Sequence, residues 1–135
     1  MDCLFCKIVN KELPSKVLYE DDKFVCFMDI NPHTKGHCLV IPKEHAENFT
    51  ALDNDTVGEF AKLVHRIAPQ VAGMMKADAY NVGMNNGAAA GQVIGHVHWH
   101  IIPRYRNDGL ENWGINEEEV SKLDERFTEL DGKIK

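Results

Sequence analysis

The feature that most constrains this chain is a short stretch in which histidine and apolar residues alternate. It covers residues 96–102 and reads His-Val-His-Trp-His-Ile-Ile. Because successive side chains of a β-strand point to opposite faces, a strand here presents all three histidines on one face. Val97, Trp99 and Ile101 then pack on the hydrophobic core. The pattern predicts a strand over residues 95–103, with one face anchored and the other carrying chemistry.

Three interpretations of the histidine face are open on the residues alone. A solvated strand face is usually a mixture of Lys, Thr and Glu, so three histidines in five residues argue against a face without function. Imidazole is the commonest metal ligand, but alternate residues on a straight strand point in parallel and converge poorly on one ion. In a nucleophilic site, neighbouring imidazoles resist protonation because like charges disfavour the charged form. A neutral imidazole can then attack an electrophile near neutral pH.

The rest of the chain predicts a mixed fold. Four further segments are predicted as strands, at residues 17–20, 23–28, 37–41 and 79–84. Apolar residues at spacings of three and four predict a long helix between Val57 and Met74, with a capping box at 56–59 and a kink or division at Pro69. The same spacing at 115–130 predicts a C-terminal helix. This order indicates an α+β fold with a mostly antiparallel sheet.

Length, composition and charge restrict the class further. With 135 residues, 44% of them hydrophobic and 27% charged, the chain is expected to form a single domain over residues 1–135. The net charge of −6 argues against a nucleic-acid polymer as partner, while a nucleotide-sized ligand is compatible with it. No segment approaches the roughly 18 continuous apolar residues of a membrane span, and the N-terminus lacks a signal-peptide pattern. We therefore expect a cytoplasmic protein without a membrane partner.

The four cysteines are expected to be thiols or metal ligands, because disulfides are rare in reducing compartments. Cys3 and Cys6 form a Cys-x-x-Cys unit, which is commonly half of a zinc site. The alternative is two reduced thiols packed as small hydrophobic side chains. Cys26 and Cys38 fall in predicted strands and are expected in the core. His33 and His65 are expected at the surface.

Several motifs of the chain follow one another as they do in the histidine-triad superfamily. They are Phe5-Cys6-Lys7-Ile8, Phe27-Met28-Asp29-Ile30-Asn31-Pro32, Gly36-His37-Cys38-Leu39-Val40-Ile41-Pro42-Lys43-Glu44-His45, Asn85-Asn86-Gly87, Gly91-Gln92, the triad itself and Pro103-Arg104. The chain most resembles the bacterial-type nucleotide-binding proteins of that superfamily. The resemblance implies a five-stranded antiparallel sheet, one long helix and a homodimer built by joining two sheets.

The resemblance also implies an activity, which is hydrolysis or transfer of a nucleoside monophosphate. The substrates of this class are nucleoside phosphoramidates, acyl-nucleotides and dinucleoside polyphosphates, and no catalytic cofactor is required. The middle histidine, His98, matches the nucleophile that forms a nucleotidyl-histidine intermediate. His100 matches the residue that donates to the phosphoryl oxygens, where negative charge grows. His37 matches a fourth histidine in the same site, although a histidine at a strand start has a purely structural alternative.

The expected ligand contacts follow from the same resemblance. Asp29 matches the acidic residue that binds the ribose hydroxyls, but from its local sequence alone it is a turn residue. The residues matching a wall around the base, which is expected to be a purine, could equally be plain core: Phe5, Ile8 and Ile30. Asn85 matches a polar side chain near the phosphate. Gln92 belongs to the Gly-Gln step beside it, where a glycine-rich backbone can approach closely.

Zinc-binding members of the superfamily combine a Cys-x-x-Cys unit with two histidines. The corresponding residues here are Cys3, Cys6, His45 and His96, so the resemblance implies a structural zinc ion.

One departure from the pattern is Val93, where some relatives have a Ser or Thr whose hydroxyl helps the leaving group. Two rival functions stay open: a metal hydrolase that uses the triad as ligands, and a nucleotide-binding protein without activity.

Overall fold

The computed structural model describes residues 2–135 and contains a five-stranded antiparallel sheet with helices on both faces. The strands are β1 (Val17–Glu20), β2 (Phe24–Met28), β3 (Cys38–Pro42), β4 (Ala79–Gly83) and β5 (Trp99–Arg104). The helices are α1 (Leu4–Val9), α2 (Asn54–Met74), α3 (Glu117–Val120) and α4 (Leu123–Leu130). Single 3-10 turns lie at Phe49–Ala51 and Ala88–Ala90. The predicted α+β class is confirmed.

The spatial order of the strands is β1-β2-β3-β5-β4, and each neighbouring pair is antiparallel. β5 therefore lies inside the sheet, where His100 is opposite Leu39 on one side and Gly83 on the other. A central strand is hydrogen-bonded along both edges, which gives its side chains fixed positions. The side chain of His100 is thus held by the most constrained part of the sheet.

The two faces of the sheet bury separate apolar clusters. On the face under α2, the helix buries Phe60, Leu63, Val64, Ile67 and Ala68. They pack against Cys26, Cys38, Val40 and Ile101 of the sheet and against Val97, which precedes β5. The opposite face, under α1, buries Cys3, Phe5, Val25, Phe27, Leu39 and Ile41. Alternate residues of β2 and β3 go to opposite clusters, so these strands are almost continuously buried. The prediction that Cys26 and Cys38 lie in the core is confirmed.

Helix α2 carries the predicted apolar stripe but not the predicted ends. Its N-cap is Asp53, whose carboxylate accepts a hydrogen bond from the Thr56 backbone N–H at 2.8 Å. The capping box predicted at 56–59 is therefore wrong, because the helix already begins at Asn54. The helix also runs through Pro69 without division to Met74. Pro69 has no backbone N–H, so one hydrogen bond of the helix is missing there. The buried side chains Ile67, Ala68 and Ala72 pack on both sides of this gap and keep the helix continuous.

The single helix predicted at 115–130 is wrong in detail. The chain instead forms α3 and α4, separated at Ser121, whose hydroxyl donates back to the Glu118 carbonyl. The apolar residues that suggested one helix, Val120, Leu123, Phe127 and Leu130, are all exposed. No core packing enforces a continuous helix here. Between residues 2 and 135, no helix has both the length and the apolar character needed to cross a membrane.

Candidate functional site

The segment that leads into β5 departs from the predicted strand. β5 begins at Trp99 rather than at residue 95, and His96 and His98 precede it. Two bonds divert the backbone there: the Val97 N–H donates to the Ala46 carbonyl, and His98 Nδ1 donates to the His96 carbonyl, both at 2.8 Å. The three histidines consequently lie in two different groups of side chains. His96 turns to the cysteines, while the rings of His98 and His100 are neighbours.

The hydrogen bond of His98 determines where its proton lies. A carbonyl oxygen only accepts, so the bond to the His96 carbonyl requires the hydrogen on Nδ1. In the neutral ring Nε2 then carries the lone pair. The side chain is 7% exposed, and the Phe5 ring packs edge-on against it at 5.2 Å between centroids. Burial, one hydrogen bond and ring contacts with Phe5 and His100 thus fix the orientation of the His98 imidazole.

A second chain of hydrogen bonds orders His37 and His100. The His33 backbone N–H donates to His37 Nδ1 at 2.9 Å, so the hydrogen of a neutral His37 lies on Nε2. This Nε2–H donates to His100 Nδ1, also at 2.9 Å. The hydrogen of a neutral His100 therefore lies on Nε2, where it can be donated to another group.

Burial keeps both of these rings uncharged. Burial and the neighbouring imidazoles of His98 and His37 lower the pKa of His100 to about 4. Burial also lowers the pKa of His37, against the opposing effect of the Asp29 carboxylate. The pair is therefore neutral at pH 7. Its free hydrogen-bond donor is the Nε2–H of His100, whose ring neighbours that of His98.

The same residues offer a possible metal-ligand set, which the tautomers disfavour. Atoms of Asp29, His37 and His100 lie within 4.8 Å of one another, and Asp29 Oδ2 is 3.5 Å from His37 Nε2. A metal ion here needs a lone pair on His37 Nε2. That nitrogen carries the hydrogen, because Nδ1 accepts from the His33 N–H. The arrangement fits a hydrogen-bonded relay better than a metal site.

A second cluster brings together the four residues expected to hold zinc. His96 Nδ1 lies 3.3 Å from Cys3 Sγ and 3.6 Å from Cys6 Sγ, and His45 Nδ1 lies 3.4 Å from Cys6 Sγ. The two imidazole nitrogens are 3.3 Å apart. Tetrahedral zinc with ordinary Zn–S and Zn–N bonds has ligand–ligand edges of about 3.3–3.8 Å. The cluster therefore has the donor set and the spacing of a closed tetrahedral site.

Local structure explains why these ligands converge. Cys3 is the N-cap of α1 and Cys6 lies one turn later, so both thiols lie on the same side of the helix. His96 Nε2 donates to the Pro42 carbonyl at 2.8 Å, which leaves its Nδ1 lone pair directed at the cysteines. Such an outer hydrogen bond commonly orients a metal-binding histidine. The cluster could hold a metal ion without rearrangement.

A cleft of about 570 Å³ opens beside the relay and is lined by Asp29, His37, Asn85 and His100. Sequence reasoning missed several other lining residues: Asn31, Asn81, Met84, Arg104 and Trp113. Asn31 follows β2, Asn81 and Met84 lie in and just after β4, Arg104 ends β5, and Trp113 lies in the segment after it. Trp113 is 99% exposed, and its isolation in a polar stretch was the only signal in the sequence. The other four lie in stretches that look like ordinary strands or loops.

The other expected ligand residues are placed differently from one another. Asp29 makes a turn contact, accepting the Asn31 N–H at 2.8 Å, and also lines the cleft. Ile30 is 87% exposed and free to contact a ligand. Phe5 is buried and Ile8 is half-buried beside it in the α1 cluster. Phe5 can therefore influence a ligand only by packing against His98, whereas Ile8 could contact one at the edge of α1.

The loop between β4 and the histidines has glycines where the backbone requires them. Gly87 and Gly91 have φ of +92° and +94°, a region that side chains with a Cβ rarely adopt. Asn85 Nδ2 donates to the Gly91 carbonyl at 3.4 Å. The Gln92 amide is bonded to three backbone groups, while Val93 is 88% exposed. His33 and His65 are exposed, as expected.

Comparisons with known proteins identify the family. The family model described as HIT domain matches residues 10–107. The chain belongs to the HIT family, whose name refers to the histidine triad.

Individual relatives extend over most of the chain. An adenosine 5′-monophosphoramidase of Schizosaccharomyces pombe is 38% identical over 140 residues and covers 100% of both chains. An adenylylsulfatase of Arabidopsis thaliana is 40% identical over 129 residues, 96% of this chain and 66% of that protein. The crystal structure of a Zn-bound histidine triad family protein from Mycobacterium smegmatis matches with a TM-score of 0.78 and 36% identity, over 93% of this chain and 98% of that one.

Proposed function

We propose that this chain cleaves a phosphorus bond at the α-phosphate of a nucleotide through a nucleotidyl-His98 intermediate. The observation that carries the proposal is the 2.8 Å bond from His98 Nδ1 to the His96 carbonyl, which leaves Nε2 as the free nucleophile. The names of the fission-yeast and Arabidopsis relatives support a nucleotide substrate with a nitrogen or sulfate leaving group. The substrate classes are a nucleoside phosphoramidate, an acyl-nucleotide or a dinucleoside polyphosphate.

The reaction has two displacements at phosphorus. In the first, the Nε2 lone pair of His98 forms a bond to the α-phosphorus while the bond to the leaving group breaks, and the leaving group departs with that electron pair. In the second, water attacks phosphorus, the phosphorus–nitrogen bond breaks and the nucleoside monophosphate is released. Val93 has no hydroxyl to donate, so another group or water supplies the leaving group with its proton.

The neighbouring residues assist this chemistry by position. His100 Nε2–H donates to the phosphoryl oxygens as negative charge grows, and His37 holds His100 in the donating tautomer. Asp29 binds the ribose hydroxyls from the wall of the cleft, and Asn85 lies near the phosphate. The apolar residues Phe5, Ile8 and Ile30 provide the base end of the site.

The cysteine cluster is proposed to bind structural zinc through Cys3, Cys6, His45 and His96. The donor set, the tetrahedral spacing and the Zn-bound mycobacterial neighbour support this role. With four protein ligands the ion stabilises the fold and leaves no position for substrate or water. His96 connects the two sites, because its ring belongs to the cysteine cluster and its carbonyl orients His98.

A homodimer is proposed from the resemblance and from the exposed surface of the sheet. β4 is an edge strand, and its Tyr80 and Val82 are both exposed, as is Met74 at the end of α2. An open edge with apolar side chains is suited to pairing with a second copy. Light scattering of the purified protein measures this directly.

The experiment that tests the proposal is a turnover screen with adenosine phosphoramidate, adenylated lysine, diadenosine polyphosphates and adenosine phosphosulfate. His98→Asn is expected to abolish turnover of every substrate that the wild type cleaves, while AMP binding persists because a side chain of similar size keeps the pocket. His65→Asn, on the exposed surface of α2, is the matched control and retains wild-type rates. Wild-type turnover in His98→Asn, or AMP binding without turnover in the wild type, contradicts the proposal.

Removing the metal separates the proposal from the metal-hydrolase alternative. A chelator that strips the cysteine cluster is expected to lower activity in part, since it loosens the support of His98. A metal hydrolase would instead lose all activity with its fold unchanged and regain it when metal is added.

A further inference from the structure

The side chain of Gln92 is fully occupied by the protein. Its Oε1 accepts the Gly87 N–H at 2.8 Å, and its Nε2 donates to the Glu47 carbonyl at 2.6 Å and the Ile94 carbonyl at 3.0 Å. A primary amide has two N–H donors, and both are used here. A direct contact from Gln92 to the phosphate would therefore break a bond already made. This geometry differs from the ligand role that the resemblance implies.

The loop that Gln92 holds has little else to hold it. Residues 88–90 are three exposed alanines in a single 3-10 turn between Gly87 and Gly91. None of them belongs to either apolar cluster. Segments with few buried contacts and solvent-exposed backbone open readily. Without the Gln92 amide, the loop is attached through its own backbone turn and through the single hydrogen bonds of Asn85 and Asn86.

The segment on the other side of Gln92 is firmly fixed. Glu47 lies two residues after His45, whose ring belongs to the cysteine cluster. The neighbouring Ala46 carbonyl accepts the Val97 N–H at 2.8 Å, directly before His98. The Phe49 N–H donates to Asn86 Oδ1 at 2.8 Å, which adds a second link to the loop. Residues 46–49 thus join the loop to the backbone that carries the nucleophile.

We propose that Gln92 is a positioning residue that fixes the loop at 87–91, and Asn85 with it, relative to His98. Asn85 lines the cleft and donates to the Gly91 carbonyl, so the position of the loop sets the position of this side chain. Gln92 acts through Gly87, the loop and Asn85, without touching the substrate. This role rests on the proposed function, in which the loop lies beside the α-phosphate.

The first test is hydrogen exchange in the free protein, which needs no substrate. Gln92→Ala is expected to speed exchange of the peptide covering residues 85–94 while the rest of the sheet exchanges as before. Gln70→Ala is the matched control, because Gln70 makes one bond to a backbone carbonyl on the exposed side of α2. Unchanged exchange at 85–94 in Gln92→Ala overturns the proposal, whatever the activity of the protein.

The second test is the split between binding and turnover. A loop displaced by about an ångström costs on the order of 100-fold in rate. We expect kcat to fall by about 10- to 100-fold, AMP binding to weaken, and adenosine binding to be unchanged, since adenosine has no phosphate. Equal weakening of both ligands, or lost turnover with an unperturbed loop, assigns Gln92 to the substrate and overturns the positioning role.

A third variant guards against simple misfolding. Gln92→Glu keeps an acceptor for the Gly87 N–H but places a carboxylate oxygen against the Glu47 and Ile94 carbonyls. It is expected to be at least as impaired in kcat as Gln92→Ala, with the same faster exchange confined to 85–94. Wild-type exchange and kcat in Gln92→Glu contradict the proposal. If the wild type cleaves none of the screened nucleotides, the proposed function fails while the exchange result still decides the role of Gln92 in the loop.

Discussion

For three of the histidines, a single backbone group determines which ring nitrogen carries the hydrogen. The Pro42 carbonyl holds the hydrogen of His96 on Nε2, and the His96 carbonyl holds that of His98 on Nδ1. The His33 N–H does the reverse for His37. The triad pattern predicts which residues matter, but not these partners, because a main-chain donor or acceptor has no residue type to recognise. The roles proposed for these histidines, as nucleophile, hydrogen-bond donor and metal ligand, can therefore be told apart only in the folded chain.

The lowered pKa of His100 predicts a pH dependence of stability. Its pKa is about 4 in the folded protein and about 6.5 in an unfolded chain. Between these values the unfolded state binds the extra proton, so the free energy of unfolding falls as pH decreases from about 6.5 to about 4. Above about pH 6.5 both states are neutral and the contribution is complete.

His100→Gln removes this contribution and is expected to lose less stability over the same pH range than the wild type. Urea unfolding at about pH 7 and about pH 4.5 measures this loss of stability. The exposed His65→Gln is the control and is expected to lose as much stability between the two pH values as the wild type. Equal losses for His100→Gln and the wild type would show that His100 is not buried in its neutral form.

Among the elements, helix α2 and strands β1 to β4 followed from the sequence, whereas helix α1 and the start of β5 did not. The apolar stripe of α2 and the buried runs of β2 and β3 are dictated by core packing, so their pattern is strong. Helix α1 has six residues, too few for a period to show, and its N-cap is a cysteine rather than a usual capping residue. β5 starts late because hydrogen bonds of Val97 and His98 with backbone carbonyls compete with the sheet.

The element α1 is expected to depend on the metal cluster. Cys3→Ser removes one of four ligands, and since metal binding contributes to folding, the melting temperature should fall. Elemental analysis should give about one zinc ion per wild-type chain. Cys26→Ser does not touch the cluster and serves as the comparison for a lost thiol: it should lower stability but leave zinc content unchanged. Wild-type protein free of zinc after gentle purification would contradict the assignment.

At the scale of the whole molecule, the fold gathers residues that are far apart in the chain. The cysteine cluster joins residues 3 and 6 to 45 and 96, and the relay joins 29, 33 and 37 to 100. Their convergence depends on β5 lying beside β3 in the sheet, an order that local patterns do not specify. The resemblance to a known family supplied the cysteine cluster and the place of His37 beside the triad in advance, but not the relay through the His33 N–H. The loop tether of Gln92 and the exposed Trp113 at the cleft emerged only from the structure.

The topology also connects the cysteine cluster to the proposed nucleophile. His96 belongs to both: its ring lies with the cysteines, and its carbonyl accepts a hydrogen bond from His98 Nδ1. The same backbone continues through Val97, which is bonded to Ala46 beside the metal-ligand candidate His45. Changes at the cluster are therefore transmitted to His98 over a few covalent and hydrogen bonds.

In the proposed reaction, the nucleotidyl group is transferred first to His98 and then to water. The most direct measurement is the stereochemical course at phosphorus, using an adenosine phosphoramidate that carries sulfur at one non-bridging position of known configuration and is hydrolysed in heavy-oxygen water. Two successive in-line displacements each invert the phosphorus centre, so the account predicts overall retention. Inversion would show a single attack by water and would contradict a nucleotidyl-His98 intermediate.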